Sequence, residues 1–163
     1  MGGKIRKKII EWDTAPDEAY FSELFRVSRN QIIWGGNYFS LPPARCFIVW
    51  KKTNIPENFT MSMCEYAWTS FNENAKVFEA SSQNQKGRFH PTQKPIELYQ
   101  WIFQRYAKQG ERIIDTHLGS GSSRIAAYKM GLEFVGCEIN KEYFDLQEKR
   151  FQDYTAQMSI FEE

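Results

Sequence analysis

Asp115-Thr116-His117-Leu118-Gly119-Ser120-Gly121-Ser122-Ser123 is the stretch on which the fold turns. A short apolar run, Arg112-Ile113-Ile114, leads into it, and a helix-forming segment follows to about Met130, closed by Gly131. Beyond that, residues 133–137 pattern as a second strand, and residues 141 to about 154 as a further helix. Strand, helix, strand and helix at these lengths require parallel pairing and a right-handed crossover. A glycine-rich turn between strand and helix lets backbone approach a ligand at the carboxyl edge of such a sheet. The next strand closes on Glu138, and 138 − 119 places it 19 residues after the first glycine. At that distance an acid can grip the ribose hydroxyls of an adenosine cofactor.

The loop chemistry narrows the ligand. A dinucleotide fingerprint needs a third glycine where Arg124 stands, and a phosphate-cradling loop needs lysine where Ser122 stands. An acid at the loop start repels a pyrophosphate and suits an ammonium group. S-adenosylmethionine offers that ammonium, a sulfonium, and a ribose for Glu138. A plain Gly/Ser turn with no ligand stays open on the loop alone.

Outward from the loop, Pro95 opens a helix with Ile96, Tyr99, Ile102, Phe103 and Tyr106 on one face, ended by Gly110. Residues 72–89 are mostly polar around Ser81-Ser82-Gln83-Asn84-Gln85 and predict a loop. Before it, residues 31–34, 46–50 and 66–71 pattern as strands, with turns at Gly35-Gly36-Asn37 and over 51–58. A first helix is expected over 16–27, N-capped by Thr14. With 163 residues the chain has room for about one domain.

Charge and composition exclude several classes. Lys and Arg number 21 against 20 Asp and Glu, so the chain is no polycation. Lys4, Arg6, Lys7 and Lys8 make a local basic strip, which suits phosphate or simply a solvated face. No apolar run is long enough to cross a bilayer, and Met1-Gly2-Gly3-Lys4 opens no signal peptide, so a cytoplasmic protein is expected. Cys46, Cys64 and Cys137 are scattered, and His90 and His117 are the only histidines, so no metal site is expected.

His90-Pro91-Thr92-Gln93-Lys94-Pro95, the loop 115–123, and Val135-Gly136-Cys137-Glu138-Ile139-Asn140 with Tyr143-Phe144 together resemble the amino-group DNA methyltransferases. These modify the exocyclic amine of adenine or cytosine with S-adenosylmethionine. The order of segments is similar to the permuted class, in which the catalytic half precedes the cofactor half. Trp12-Asp13 and Trp34-Gly35-Gly36-Asn37-Tyr38-Phe39 match the end of that catalytic half. The resemblance implies an α/β, Rossmann-like S-adenosylmethionine-dependent methyltransferase fold, with a mixed, mostly parallel sheet and helices on both faces. It implies one domain: residues 1–71 as the rest of the catalytic half, 72–89 a polar loop, 90–155 the cofactor half, 156–163 a tail. It implies a place in DNA methylation and restriction-modification, with double-stranded DNA as partner.

Carried over by position, the resemblance sets Asp115 toward the methionine ammonium, and Thr92 and Lys94 near its carboxylate. Gly119 and Gly121 then admit the cofactor, Glu138 holds its ribose hydroxyls, and Ser120, Ser122 and Ile139 belong to the same cofactor-binding set. The family usually has Pro-Phe where Thr116-His117 stands, so His117 either stacks as the phenylalanine does or is a hydrogen-bonded loop residue.

One family element is missing. The catalytic tetrapeptide, Asp-Pro-Pro-Tyr or Ser-Pro-Pro-Tyr, accepts a hydrogen bond from the target amine and stacks on the flipped base. It belongs upstream of Trp12, where residues 1–11 hold neither Pro nor Tyr, and Pro42-Pro43 stands between Leu41 and Ala44. The resemblance therefore implies an N-terminally truncated chain whose sheet lacks the strand carrying the catalytic loop. No catalytic residue is assigned, although Asp13, or Asn37 with Tyr38, would be the candidates for rehoused chemistry. The alternative is an inactive remnant that binds the cofactor or a partner. Finally, Gln157-Met158-Ser159-Ile160-Phe161 resembles the bacterial sliding-clamp-binding peptide, expected as an extended tail that seats Ile160 and Phe161 in an apolar pocket.

Overall fold

The computed structural model describes residues 14–83 and 87–160. Helix α1 spans Glu18–Val27, β1 Ile32–Trp34, β2 Phe47–Lys52, β3 Cys64–Thr69 and β4 Lys76–Ala80. Then come α2 Ile96–Tyr106, β5 Arg112–Asp115, α3 Ser122–Lys129, β6 Glu133–Gly136 and α4 Lys141–Ile160. Strands β1-β3-β2-β4 form one sheet and β5-β6 another. The connection from β2 to β3 is too short for a crossover, so they pair antiparallel, as do β1 and β3. β4 joins β2 in parallel, and β6 joins β5 in parallel through α3. The α/β expectation and the mixed sheet stand, but among the described residues parallel pairs are half of the ladders and not most of them.

Period-2 alternation decides what each sheet face meets. Ile48 and Trp50 of β2 and Ala67 of β3 turn to one face, where Leu98, Ile102 and Phe103 of α2 and Ala126 and Ala127 of α3 complete the core. Ile32 and Trp34 of β1 share that face by register. On the opposite face Phe25 of α1 meets Trp68 with ring centroids 5.8 Å apart. Helices thus cover both faces.

Several boundaries move, each for a local reason. Asp17, not Thr14, caps α1, its carboxylate accepting from the Tyr20 N–H at 2.9 Å. Strand β2 continues through Lys51 to Lys52, because Lys52 finds an anion inside the fold. α2 stops at Tyr106 with Ala107 extended, ahead of Gly110. The polar loop expected over 72–89 contains β4, an edge strand with only Phe78 and Ala80 as inward apolar residues, so its composition reads as loop. The tail is also corrected: α4 runs to Ile160, so the backbone of residues 157–160 is helical and not extended. Phe161 lies outside the described residues, as do Asp13 and the basic strip.

Leu98, fully buried beneath the sheet, was not on the apolar face read from sequence. Leu98→Ala should cost about 2–5 kcal/mol of unfolding free energy, read from urea midpoints at constant slope.

Candidate functional site

β5 ends on Asp115, and the chain turns sharply through Gly119 and Gly121 into α3. Two backbone bonds tie this turn to the one after β6: Cys137 N–H donates to the Asp115 carbonyl at 2.8 Å, and Leu118 N–H to the Cys137 carbonyl at 2.9 Å. Glu138 completes the link, one oxygen accepting the Gly119 N–H at 2.8 Å and the other the Asn140 N–H at 2.8 Å. Gly119 takes φ +52°, and a Cβ there would sit 3.3 Å from the His90 ring, so shape and conformation both select glycine. His90 is held between Gly119 and Tyr143, whose ring centroid lies 4.4 Å away. Its Nδ1 accepts the Thr92 N–H at 3.3 Å. Burial lowers the His90 pKa; Glu138 pulls the other way, while Lys94 and Arg88 add to the lowering.

The Asp115 carboxylate accepts from the His117 N–H at 3.0 Å and from the Ser123 hydroxyl. Among the described residues it makes no ion pair. Its charge faces a cavity of about 1620 Å³. On the same wall stands a buried ionic cluster: Glu65 lies 3.0 Å from Lys52 and 2.9 Å from Lys94. Lys94 also sits 5.0 Å over the Trp34 ring. Two cations share one carboxylate, so the cluster carries a surplus positive charge. Burial alone would raise the Glu65 carboxyl, but Lys94 and Lys52 outweigh it and hold it below the ordinary carboxylate range. Both acids also act on Tyr99, whose hydroxyl is pushed well upward by burial first and then by Asp115 and Glu65.

Of the residues named from sequence, the cavity wall brings together Thr92, Lys94, Asp115, His117, Gly119, Ser120 and Ser122. Gly121 is turned toward Gln147, Glu138 is engaged behind the loop, and Ile139 stands 89 % exposed off the wall. His117 meets Tyr20 edge-on at 5.5 Å, with Thr116 hydrogen-bonded to both. Asn37 and Tyr38 line the cavity, Tyr38 largely exposed.

Sequence reading missed Lys52, Glu65, Tyr20 and Arg150. Arg150 donates to the Ser120 carbonyl at 2.7 Å and the Ser122 hydroxyl at 3.0 Å, bracing the loop from behind. Alternation did place Lys52 and Glu65 on the same face as Trp50 and Ala67, and that is a usable flag for buried charge. Among the described residues no cluster of His, Cys, Asp or Glu is arranged to hold a metal, and no helix is long and apolar enough to cross a membrane.

A parallel β-α-β unit with an acid at the strand end, a glycine turn and an acid after the second strand defines a Rossmann-like cofactor-binding α/β protein. Comparison with known proteins makes this more particular. The chain matches the DNA methylase family over residues 29–149, well over half its length, and belongs to that family. It is 38% identical over 63 residues to the type II methyltransferase M2.DpnII of Streptococcus pneumoniae, covering 39% of this chain and 24% of that protein. To M2.MboI of Moraxella bovis it is 25% identical over 148 residues, 90% of this chain and 50% of that one. The chain therefore spans half or less of these two relatives. Among solved structures, the M1.HpyAVI-SAM complex is 29% identical, with a TM-score of 0.50, over 64% of this chain and 60% of that one. The PvuII cytosine-N4-specific DNA methyltransferase superposes with a TM-score of 0.54 at 12% identity, over 64% of this chain and 50% of that one, a likeness of fold.

The ionic cluster predicts an acid-sensitive fold. Glu65, with its folded pKa below the unfolded one, contributes stability above the ordinary carboxylate range and loses it as pH falls through the folded pKa. His90, favoured neutral when folded, contributes fully above about pH 6.5 and begins to lose it below that. The thermal midpoint should fall from pH 7.5 to 5.5, and His90→Gln should flatten that fall. Glu65→Gln, which leaves two buried lysines without their anion, should cost about 3–5 kcal/mol at neutral pH.

Proposed function

We propose that this chain is the S-adenosylmethionine-binding portion of a cytoplasmic, restriction-modification-type DNA methyltransferase acting on an exocyclic amine, that of adenine in preference to cytosine. One observation carries the reading. A single cavity wall presents a carboxylate, Asp115, that makes no ion pair among the described residues, and a surplus cation shared by Lys52, Glu65 and Lys94. That is the charge complement of an amino-acid zwitterion, ammonium toward Asp115 and carboxylate toward Lys94. The cavity volume is ample for a nucleoside-sized ligand. The name of the M1.HpyAVI-SAM complex and the family match support the same cofactor.

When bound, S-adenosylmethionine supplies the methyl group. This chain's residues orient it: Asp115 is held by the His117 N–H and Ser123, Lys94 is aligned by Glu65, and Glu138 keeps the Gly119 turn closed while retaining lone pairs for a hydroxyl donor. The chain contains no acid- or Ser-Pro-Pro-Tyr sequence to receive the amine and stack the base. Cofactor binding without transfer follows, since orientation of both reactants is needed.

Calorimetric titration of S-adenosylmethionine into the 163-residue chain tests the site. The parent should bind, and Asp115→Ala should weaken binding by about 1.5–3 kcal/mol, the loss of a charge-assisted contact. The same chain with labelled cofactor should leave mixed-sequence DNA unlabelled. Absence of binding overturns the cofactor reading; labelled adenine or cytosine overturns the missing catalytic loop. Docking of Gln157-Met158-Ser159-Ile160-Phe161 on a bacterial sliding clamp belongs to this proposal and requires the last turn of α4 to unwind. Anisotropy of a labelled peptide spanning 154–163 should saturate with clamp and fail with Phe161→Ala.

A further inference from the structure

The turn that closes β1 is held at every point except the side chains at its tip. Gly35 N–H donates to the Tyr66 carbonyl at 2.8 Å, Tyr38 N–H to the Gly35 carbonyl at 2.9 Å, and Phe39 N–H to the Gly36 carbonyl at 3.3 Å. A Cβ on Gly36 would collide with the Trp68 Cβ, so the 3-10 turn Gly36–Tyr38 lies tight against β3. Asn37 and Tyr38 stand at the tip. Among the described residues neither side chain makes a hydrogen bond, and Tyr38 is 83% exposed. A ring and a carboxamide on so fixed a turn lose little freedom when a ligand arrives.

Topology puts this tip at the rim of the site. β1 and β2 are each antiparallel to β3, so they run the same way and their carboxyl ends share one sheet edge. At that edge Trp34 ends β1 with Lys94 5.0 Å over its ring, and Lys52 ends β2 at 3.0 Å from Glu65. Asn37 and Tyr38 line the same cavity as Lys52, Glu65 and Lys94. Ligands of α/β sheets sit outside such carboxyl ends. Asn37 and Ser40, close by in the chain, are exposed as Tyr38 is. A lone ring between exposed polar residues suits stacking on one planar ligand better than it suits an apolar protein interface.

We infer that Tyr38 and Asn37 form a receiving site for one unpaired DNA base at the mouth of the cavity, adenine in preference to the others. An aromatic face stacks any base. A carboxamide offers one donor and one acceptor in fixed geometry, which the amine and adjacent ring nitrogen of adenine complete. The ribose end of the cofactor is assigned to Glu138, after β6 in the other sheet, so Tyr38 serves a different ring. At the rim the base is held short of reacting depth, and the expectation of no transfer by this chain stands. The inference rests on the reading of the chain as part of a DNA methyltransferase.

The test is an anisotropy titration of a short, labelled, single-stranded deoxyadenosine oligonucleotide with the full 163-residue chain, at saturating S-adenosylmethionine so that the cofactor's own adenine does not compete. The parent should saturate. Tyr38→Ser should weaken binding about fivefold or more, and Tyr38→Phe should bind as the parent does, because the ring and not the hydroxyl carries the stack. Exchanging adenine for purine, which lacks the amine, should weaken binding to the parent about fivefold or more and leave binding to Asn37→Ala unchanged. Absence of saturation, equal binding by Tyr38→Ser, or a purine penalty that survives Asn37→Ala overturns the inference. It is equally overturned if sedimentation shows the chain self-associating through a contact that Tyr38→Ser abolishes, which would make the ring an interface between copies. Calorimetry with S-adenosylmethionine alone reads the cofactor site, so failure of that reading shows there and failure of the base site shows in the titration.

Discussion

A single carboxylate, Glu138, joins the two turns on which the site is built. Each of its oxygens accepts a backbone N–H, one from Gly119 in the turn after β5 and one from Asn140 in the turn after β6. Backbone donors at a loop are costly to leave unpaired, and a charged acceptor satisfies them more strongly than a neutral one. The turn it closes has Gly119 at positive φ against His90, so the segment containing Thr92 and Lys94 is set by the same contact. Behind the loop, Arg150 performs the matching service for the Ser120 carbonyl. The loop is therefore braced by Glu138, His90 and Arg150 before any ligand arrives, which is the preorganisation that binding requires.

The second constraint is electrostatic. Lys52, Glu65 and Lys94 are placed by strand alternation and by the segment leading into α2, and they are largely withdrawn from water. A buried cluster of unequal charge is a liability for stability, and a counter-charge reaching the cavity offsets it. Asp115 presents the converse, an anion supported by neutral donors. Both liabilities open on one cavity, so a ligand of matching dipolar charge relieves both at once.

The cofactor half was legible because its signals are local. Asp115, Gly119, Gly121 and Glu138 sit at fixed offsets around strand–turn–helix units, and helix α2 carries its own periodicity after Pro95. What escaped was nonlocal. β4 is recognisable only once β2 offers it an edge, for Lys76-Val77-Phe78-Glu79-Ala80 has too little apolar alternation to declare itself. Lys52 reads as a turn residue until Glu65 is brought beside it from β3. The positions of Gly121 and Ile139 were carried over from a motif, and backbone geometry turns one to Gln147 and the other to solvent. Composition alone does not show that the polar end of α4 continues as helix through residue 160.

Helix α1 and the cofactor loop are not independent. Tyr20 reaches from α1 to share a 2.7 Å hydrogen bond with Thr116, and its ring meets His117, the residue that stands where the family carries an aromatic. α1 has no fully buried residue of its own, so its placement rests on such contacts and on Phe25 against Trp68. Elements with few buried apolar contacts occupy the low end of local stability. Ordering at the mouth of the cofactor cavity therefore reaches α1 through Tyr20, and by linkage a ligand that fixes His117 steadies this helix as well.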